Sequence, residues 1–219
     1  MGTYLITGAN RGIGLEFCQQ LTDLGERVIA VCREQSAELE KLGVRIERDI
    51  DIGNNESVAT LKERLQDTVI DVLINNAGIV SRNRLEDLDF ENILHQFNIN
   101  ALGALRVTTA LLPNLKAGSK IAIITSRMAS IDDNTSGNSY GYRMSKVALS
   151  MAGKSLSIDL KPRQIPVAIL HPGLVQTRMT NFQGISTTES VKGLLARINE
   201  LNLENTGTFW HSNGEILPW

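Results

Sequence analysis

The sequence predicts an α/β fold: one doubly wound domain, a parallel sheet of about seven strands with helices on both faces. Two observations predict it. Short apolar runs rich in β-forming residues alternate with longer segments of helical period. The strand-sized runs are apolar on successive residues instead of every second one, as suits strands covered on both faces. No repeat of 20 to 50 residues or low-complexity tract interrupts the rhythm, and 219 residues suit a single domain spanning 1–219.

In order, strands are expected at Thr3 to Thr7, Arg27 to Cys32, Val44 to Arg48, Ile70 to Ile74, Lys120 to Thr125 and Val167 to Leu170, with a weaker one near Thr208 to His211. Helices are expected over Gly14 to Leu24, Ser36 to Leu42, Asn55 to Gln66, Leu85 to Phe97, Ala101 to Leu115, Tyr142 to Leu160 and Glu189 to Leu201. Asn55 offers a cap to the third helix, and Pro113 and Pro162 stand where a missing N–H ends a helical ladder. Right-handed crossovers then build one parallel sheet, whose ligands bind outside the carboxyl ends of the strands. Functional residues are therefore expected just after strands.

Charge and cysteine usage narrow the classes. With 22 Lys+Arg against 24 Asp+Glu, the net charge is −2, which leaves no broad basic surface for nucleic acid or anionic membrane. Any phosphate must be held locally. Cys18 and Cys32 form no CxxC or Cys/His ladder, so neither a disulfide framework nor a metal site is expected, and a reducing cytoplasm fits. No apolar run reaches the length of a membrane span.

The first strand leads into Thr7-Gly8-Ala9-Asn10-Arg11-Gly12-Ile13-Gly14 and then a helix. Glycines there allow a tight turn and close backbone approach, and a helix N-terminus presents free N–H groups to a pyrophosphate. The spacing is G-x3-G-x-G, and a strand-to-helix turn that binds nothing would carry glycines too. Cys32-Arg33 stands where an acidic residue commonly grips the adenosine ribose, so Arg33, with Arg11, suits a 2′-phosphate and favours NADP(H) over NAD(H). Asp49-Ile50-Asp51 follows the third strand, and Asn75-Asn76-Ala77-Gly78 the fourth, where short polar side chains can tie neighbouring strand tips.

Tyr142 and Lys146 stand four residues apart on one helix face, where an ammonium lowers a phenol's pKa and readies it for acid–base work. Ser126, at the end of the fifth strand, offers a hydroxyl to a substrate oxygen. The three histidines, His95, His171 and His211, fit no catalytic pattern and are read as structural.

Taken together, the ordered motifs resemble the short-chain dehydrogenase/reductase family from Thr3 to about Thr180. Tyr142-Arg143-Met144-Ser145-Lys146, the loop Asp132 to Gly137 and the ending Gly214 to Trp219 are most similar to its C-factor and sniffer-type carbonyl reductase branch. The resemblance implies a Rossmann fold and a tetrad of Asn100, Ser126, Tyr142 and Lys146 that moves a hydride between NADP(H) and a small, apolar carbonyl or alcohol substrate. By the same likeness Gly8, Asn10, Arg11, Gly12, Ile13 and Gly14 cradle the pyrophosphate, and Asp49 and Ile50 flank the adenine. Asn76, Ala77 and Gly78 lie along the ribose, while Pro172, Gly173, Val175 and Thr177 match the P-G-x-V-x-T segment beside the carboxamide. The substrate region falls within 172–205, and many relatives form homodimers or homotetramers through the helices over 101–115 and 142–160, while others are monomers.

Two departures from the family pattern stand out. Tyr142 comes sixteen positions after Ser126, so loop 127–139 must bulge; otherwise Ser139 takes the serine's place. The stretch from Thr177 to Glu189 is short, which leaves an open pocket with Met128, Met179 and Phe182 as apolar walls. A protein that binds a dinucleotide for signalling, with little catalysis, is the alternative reading.

Overall fold

The computed structural model describes residues 1–219. Its seven strands are β1 Thr3–Thr7, β2 Arg27–Val31, β3 Arg45–Glu47, β4 Ile70–Asn75, β5 Leu115–Ile124, β6 Val167–His171 and β7 Phe209–His211. They form one parallel sheet in the order β3-β2-β1-β4-β5-β6-β7. The chain builds outward from β1 to β3, returns to the other side of β1 with β4, and continues to β7. The order therefore reverses between β1 and β4, and that reversal opens a crevice at their carboxyl ends.

The helices are α1 Gly12–Asp23, α2 Ala37–Glu40, α3 Asn55–Arg64, α4 Phe90–Phe97, α5 Ala104–Ala110, α6 Tyr140–Asp159 and α7 Thr187–Glu200. Successive strand residues feed opposite cores. Leu5, Ile29 and Leu73 pack with Leu61 of α3, Val107 of α5 and Leu149 of α6 on one face. Ile6, Ala30 and Ile74 pack with Phe17 of α1 and Leu194 of α7 on the other. This explains the unbroken apolar runs: both side-chain directions are buried. No helix is long and apolar enough to cross a membrane.

Several expected boundaries move, each for a local reason. The segment read as a helix from Leu85 begins only at Phe90, because the Asp89 carboxylate accepts from Asn92 N and starts the ladder there. The segment read as a helix over 101–115 is a π-helical turn over Asn98–Gly103 followed by α5, and Leu115 already belongs to β5. Asn54, not Asn55, caps α3 by accepting from Ser57 N. α6 starts two residues earlier than expected, at Tyr140.

Candidate active site

The crevice is set by side chains that tie β1 to β4. Thr7 Oγ1 accepts from the backbone N–H groups of Asn76 (3.0 Å) and Ala77 (3.1 Å). Asn76 Nδ2 donates back to the Thr7 oxygen (2.9 Å) and the Gly8 oxygen (3.3 Å). These bonds fix the distance between the two strand tips, as the short polar residues at strand ends suggested.

The glycine turn is packed against this clasp. A Cβ on Gly14 would lie 2.1 Å from the Gly8 oxygen and 2.7 Å from Asn76 Nδ2, so no larger residue fits. Gly8 itself has φ +66°, a left-handed conformation that glycine adopts without strain. α1 then begins behind Arg11, whose extended backbone supplies no side-chain cap. The first N–H groups of a three-turn helix thus face the crevice without an acceptor from the chain.

A cleft of about 1030 Å³ runs from this turn to α6. Gly8, Asn10, Arg11, Gly12, Ile13 and Gly14 line one end, joined by Arg33, Ile50 and the Asn76-Ala77-Gly78 run. Asn10 is held by its amide, which donates to the Glu34 oxygen at 2.8 Å. Arg11 and Arg33 are both exposed. Tyr142, Lys146, Pro172 and Thr177 line the other end, with Met179 and Phe182 as apolar walls.

Some expected residues do not face the cleft. The Asp49 side chain is 76% exposed and turns toward Arg48 at 3.8 Å, while Asp51 lines the cleft in its place. Gly173 and Val175 shape the wall without lining it; Val175 is buried and bridges to Ile185. Met128 is also outside the lining. Conversely, His95, read as structural, borders the cleft from α4, and Arg178 borders it from the turn after Thr177. Asp51 and Arg178 directly follow motif residues, so adjacency was the available signal; nothing in the local pattern marked His95.

The four candidate catalytic residues converge under the α6 end of the cleft; Tyr142 and Lys146 line it, while Asn100 and Ser126 lie behind the lining. Asn100, Ser126, Tyr142 and Lys146 are all buried, with exposures from 0% to 7%. Asn100 stands in the π-helical turn, where its amide clasps Ile79: Oδ1 accepts from Ile79 N (2.8 Å) and Nδ2 donates to the Ile79 oxygen (2.9 Å). The same Nδ2 donates to Ser145 Oγ (2.9 Å), which fixes Asn100 to α6. Single π-turns of this kind recur at functional sites because they re-aim one side chain.

Ser126 Oγ accepts from Met128 N at 3.1 Å, which leaves its proton free to donate elsewhere. That hydroxyl stands beside the Tyr142 phenol and favours its ionised form. Loop 127–139 does bulge as needed, through a tight turn at Arg127–Ala129 and three consecutive left-handed residues, Gly137, Asn138 and Ser139. Ser139 is instead the residue before α6, and its N–H donates to the Asn83 oxygen.

The electrostatics differ from expectation in one respect. Burial raises the Tyr142 pKa, and the opposing influence comes from Ser126, not from Lys146. Lys146 Nζ donates to the Ile124 oxygen at 3.0 Å and lies 5.9 Å from the centre of the Tyr142 ring, over its face. An i,i+4 spacing brings the two side chains together without aiming the ammonium at the phenol oxygen. Burial also lowers the Lys146 pKa to about 8.

That shift makes a stability prediction. The unfolded chain protonates Lys146 near 10.5 and the folded chain near 8, so unfolding takes up a proton between these values and stability rises with pH across the window. Below pH 8 both states are protonated and the burial penalty is fully present. Lys146→Met is expected to remove this rise, shrinking the pH-dependent part of stability by about 2–3 kcal/mol. Urea unfolding of both proteins between pH 7 and 10 checks it; parallel pH profiles would contradict the assignment.

The profile of the short chain dehydrogenase family matches residues 3–186. The chain belongs to this family. Over 226 residues, covering the whole of both chains, it is 39% identical to 1-hydroxy-2-glutathionyl-2-methyl-3-butene dehydrogenase of Rhodococcus sp. strain AD45. It is 46% identical to the C-signal of Myxococcus xanthus over 154 residues, 68% of this chain and 93% of that protein. Among solved structures, this short chain dehydrogenase superposes on carbonyl reductase Sniffer of D. melanogaster with a TM-score of 0.92, 31% identity and full coverage of both chains. An NADPH-bound carbonyl reductase from chicken fatty liver gives a TM-score of 0.90 at 28% identity, covering 100% of this chain and 99% of that one.

Proposed function

We propose that this short chain dehydrogenase is an NADP(H)-dependent oxidoreductase that interconverts a small carbonyl compound and its alcohol, with Tyr142 as general acid and base. The observation that carries the reading is a buried cluster in which Ser126 stands behind Tyr142, while Tyr142 and Lys146 line a cleft whose opposite end is a glycine turn against an uncapped helix N-terminus. The glycine packing fits a dinucleotide, since it leaves backbone where a side chain would block close approach. Gly8, Asn10, Arg11, Gly12, Ile13 and Gly14 would hold the pyrophosphate. Arg33, with Arg11, would pair with a 2′-phosphate; Ile50 and Asp51 would border the adenine, and Asn76 to Gly78 the ribose. The bound nicotinamide supplies the redox chemistry, a hydride given to or taken from the substrate carbon.

In the reducing direction Tyr142 delivers its proton to the carbonyl oxygen as the alcohol forms, while Ser126 donates a hydrogen bond to that oxygen. Lys146 holds the ribose hydroxyls and, turned from Ile124, favours the phenolate left behind. Asn100 props Ile79 and Ser145 and supports proton return through water. The 172–205 region supplies the substrate end, where Met179 and Phe182 favour an apolar substituent. Exposed Leu102, Met144, Met151 and Ile158 support pairing of two chains through the 101–115 and 142–160 segments.

Fluorescence titration with NADPH and with NADH, followed by a carbonyl panel, tests the proposal; failure to bind either dinucleotide overturns it. Arg33→Asp is expected to shift the preference toward NADH by about 10- to 100-fold, since one charge-assisted contact is lost and repulsion added. Unchanged NADPH-to-NADH selectivity would remove Arg33 from the 2′-phosphate site. The likeness to the C-signal supports a second reading, a dinucleotide-dependent signalling protein. Cofactor-dependent capture of a partner, together with no turnover across the panel, would favour it.

A further inference from the structure

The loop after Ser126 is the part of the site that departs most from the family spacing, and its anchor lies far away in sequence. Residues 209–217 fold back on themselves: Leu217 N donates to the Phe209 oxygen and His211 N to the Glu215 oxygen, both at 2.8 Å. This places Trp219 against the loop. The Trp219 main-chain oxygen accepts from Ser130 Oγ (3.2 Å) and from Asp132 N (3.0 Å). Its ring packs on Phe209 with centroids 5.5 Å apart, which fixes where that oxygen stands. A second tie runs beside it, since Arg127 pairs with Asp133 at 2.7 Å within the loop and with Glu215 at 3.5 Å across the gap.

Only one tight turn separates these anchors from Ser126. Ala129 N donates to the Ser126 oxygen and Met128 N to its hydroxyl, so a shift of Ser130 is passed to the serine through a short, hydrogen-bonded segment. We propose that Trp219 is a positioning residue for the Ser126 hydroxyl, acting through Ser130 and Asp132. The proposal rests on the reading of Ser126 as the hydroxyl that serves Tyr142 and the substrate oxygen.

The test measures the Tyr142 phenol directly. Ultraviolet difference titration of the cofactor-free protein, with Tyr142→Phe subtracted, reports its ionisation with no substrate required. Ser126→Ala is expected to raise the Tyr142 pKa by about one unit, the scale of a hydrogen bond to a charged group. Trp219→Ala is expected to raise it similarly, Trp219→Phe to leave it unchanged because a ring still packs on Phe209, and Ser130→Ala to reproduce the shift without disturbing the ring. Trp219→Ala and Ser130→Ala together should give no more than either alone. NADPH affinity, by fluorescence titration, should stay within about twofold throughout.

If Ser126→Ala shifts the phenol and neither Trp219→Ala nor Ser130→Ala does, the positioning role is overturned and the reading of Ser126 stands. If Ser126→Ala leaves the phenol unmoved, the reading of Ser126 falls first and the proposal with it. A loss of NADPH affinity in Trp219→Ala that Ser130→Ala shares would mark a general structural role and overturn the proposal as well.

Discussion

Replacing Tyr142 with Phe is expected to lower turnover by about 10³-fold while leaving the Kd for NADPH within about twofold. The ring is buried and stays in place, so packing of α6 on the floor of the cleft is retained and only the hydroxyl is lost. Loss of a positioned acid–base group costs on the order of 10²- to 10⁴-fold. The roles proposed for Ser126 and Lys146 are untouched by the change, so a small residual rate is expected. Steady-state kinetics beside an NADPH titration checks the split. Turnover within tenfold of the wild type would take the proton away from Tyr142, whatever happened to binding.

Gly14→Ala is the second large effect. The new methyl would stand 2.1 Å from the Gly8 oxygen and 2.7 Å from Asn76 Nδ2, and neither is the free end of a flexible chain. Asn76 is already committed to the Thr7 and Gly8 oxygens, so relief requires α1 to move off the strand tips or the clasp between β1 and β4 to open. Either response removes the uncapped N–H groups of α1 from the crevice. Overpacking of this kind costs about 1–3 kcal/mol of stability. Loss of two hydrogen bonds to a charged phosphate corresponds to at least about 100-fold in NADPH affinity. Thermal denaturation and fluorescence titration read the two effects separately, and a stable variant that binds NADPH as the wild type does would remove the glycine turn from the site.

The parallel sheet and most of its strands were legible because burial on both faces leaves an unmistakable apolar run; the order of the strands was not, since it is set by crossovers that no local pattern records. Helix starts were less so. Asp89 carries an N-cap signal, but the apolar pattern upstream from Leu85 overrode it. The π-helical turn at Asn98–Gly103 has no local signature, since what stabilises it is the clasp between Asn100 and Ile79, twenty-one residues away in the chain. The site was legible as a sequence of motifs, while its electrostatics were not. The spacing of Tyr142 and Lys146 says that they share a face; whether the ammonium points at the phenol depends on Ile124, a strand residue whose carbonyl captures it. Asp49 and Asp51 were indistinguishable by composition, and only the left-handed backbone at Asp49, φ +63°, turns one away and the other in.

The interior position of β1 has a consequence for biosynthesis. Leu5 pairs with Ile29 of β2 on one side and with Leu73 of β4 on the other. On the ribosome the first edge of β1 can be paired once β2 has emerged, but the second stays open until β4 has cleared the exit tunnel. During that interval the nascent chain presents Tyr4, Leu5 and Ile6 on an unpaired edge, the kind of surface that recruits a second chain. Crowded synthesis is therefore the stage at which this protein is most exposed to aggregation, and slower passage between residues 31 and 75 would lengthen the exposure.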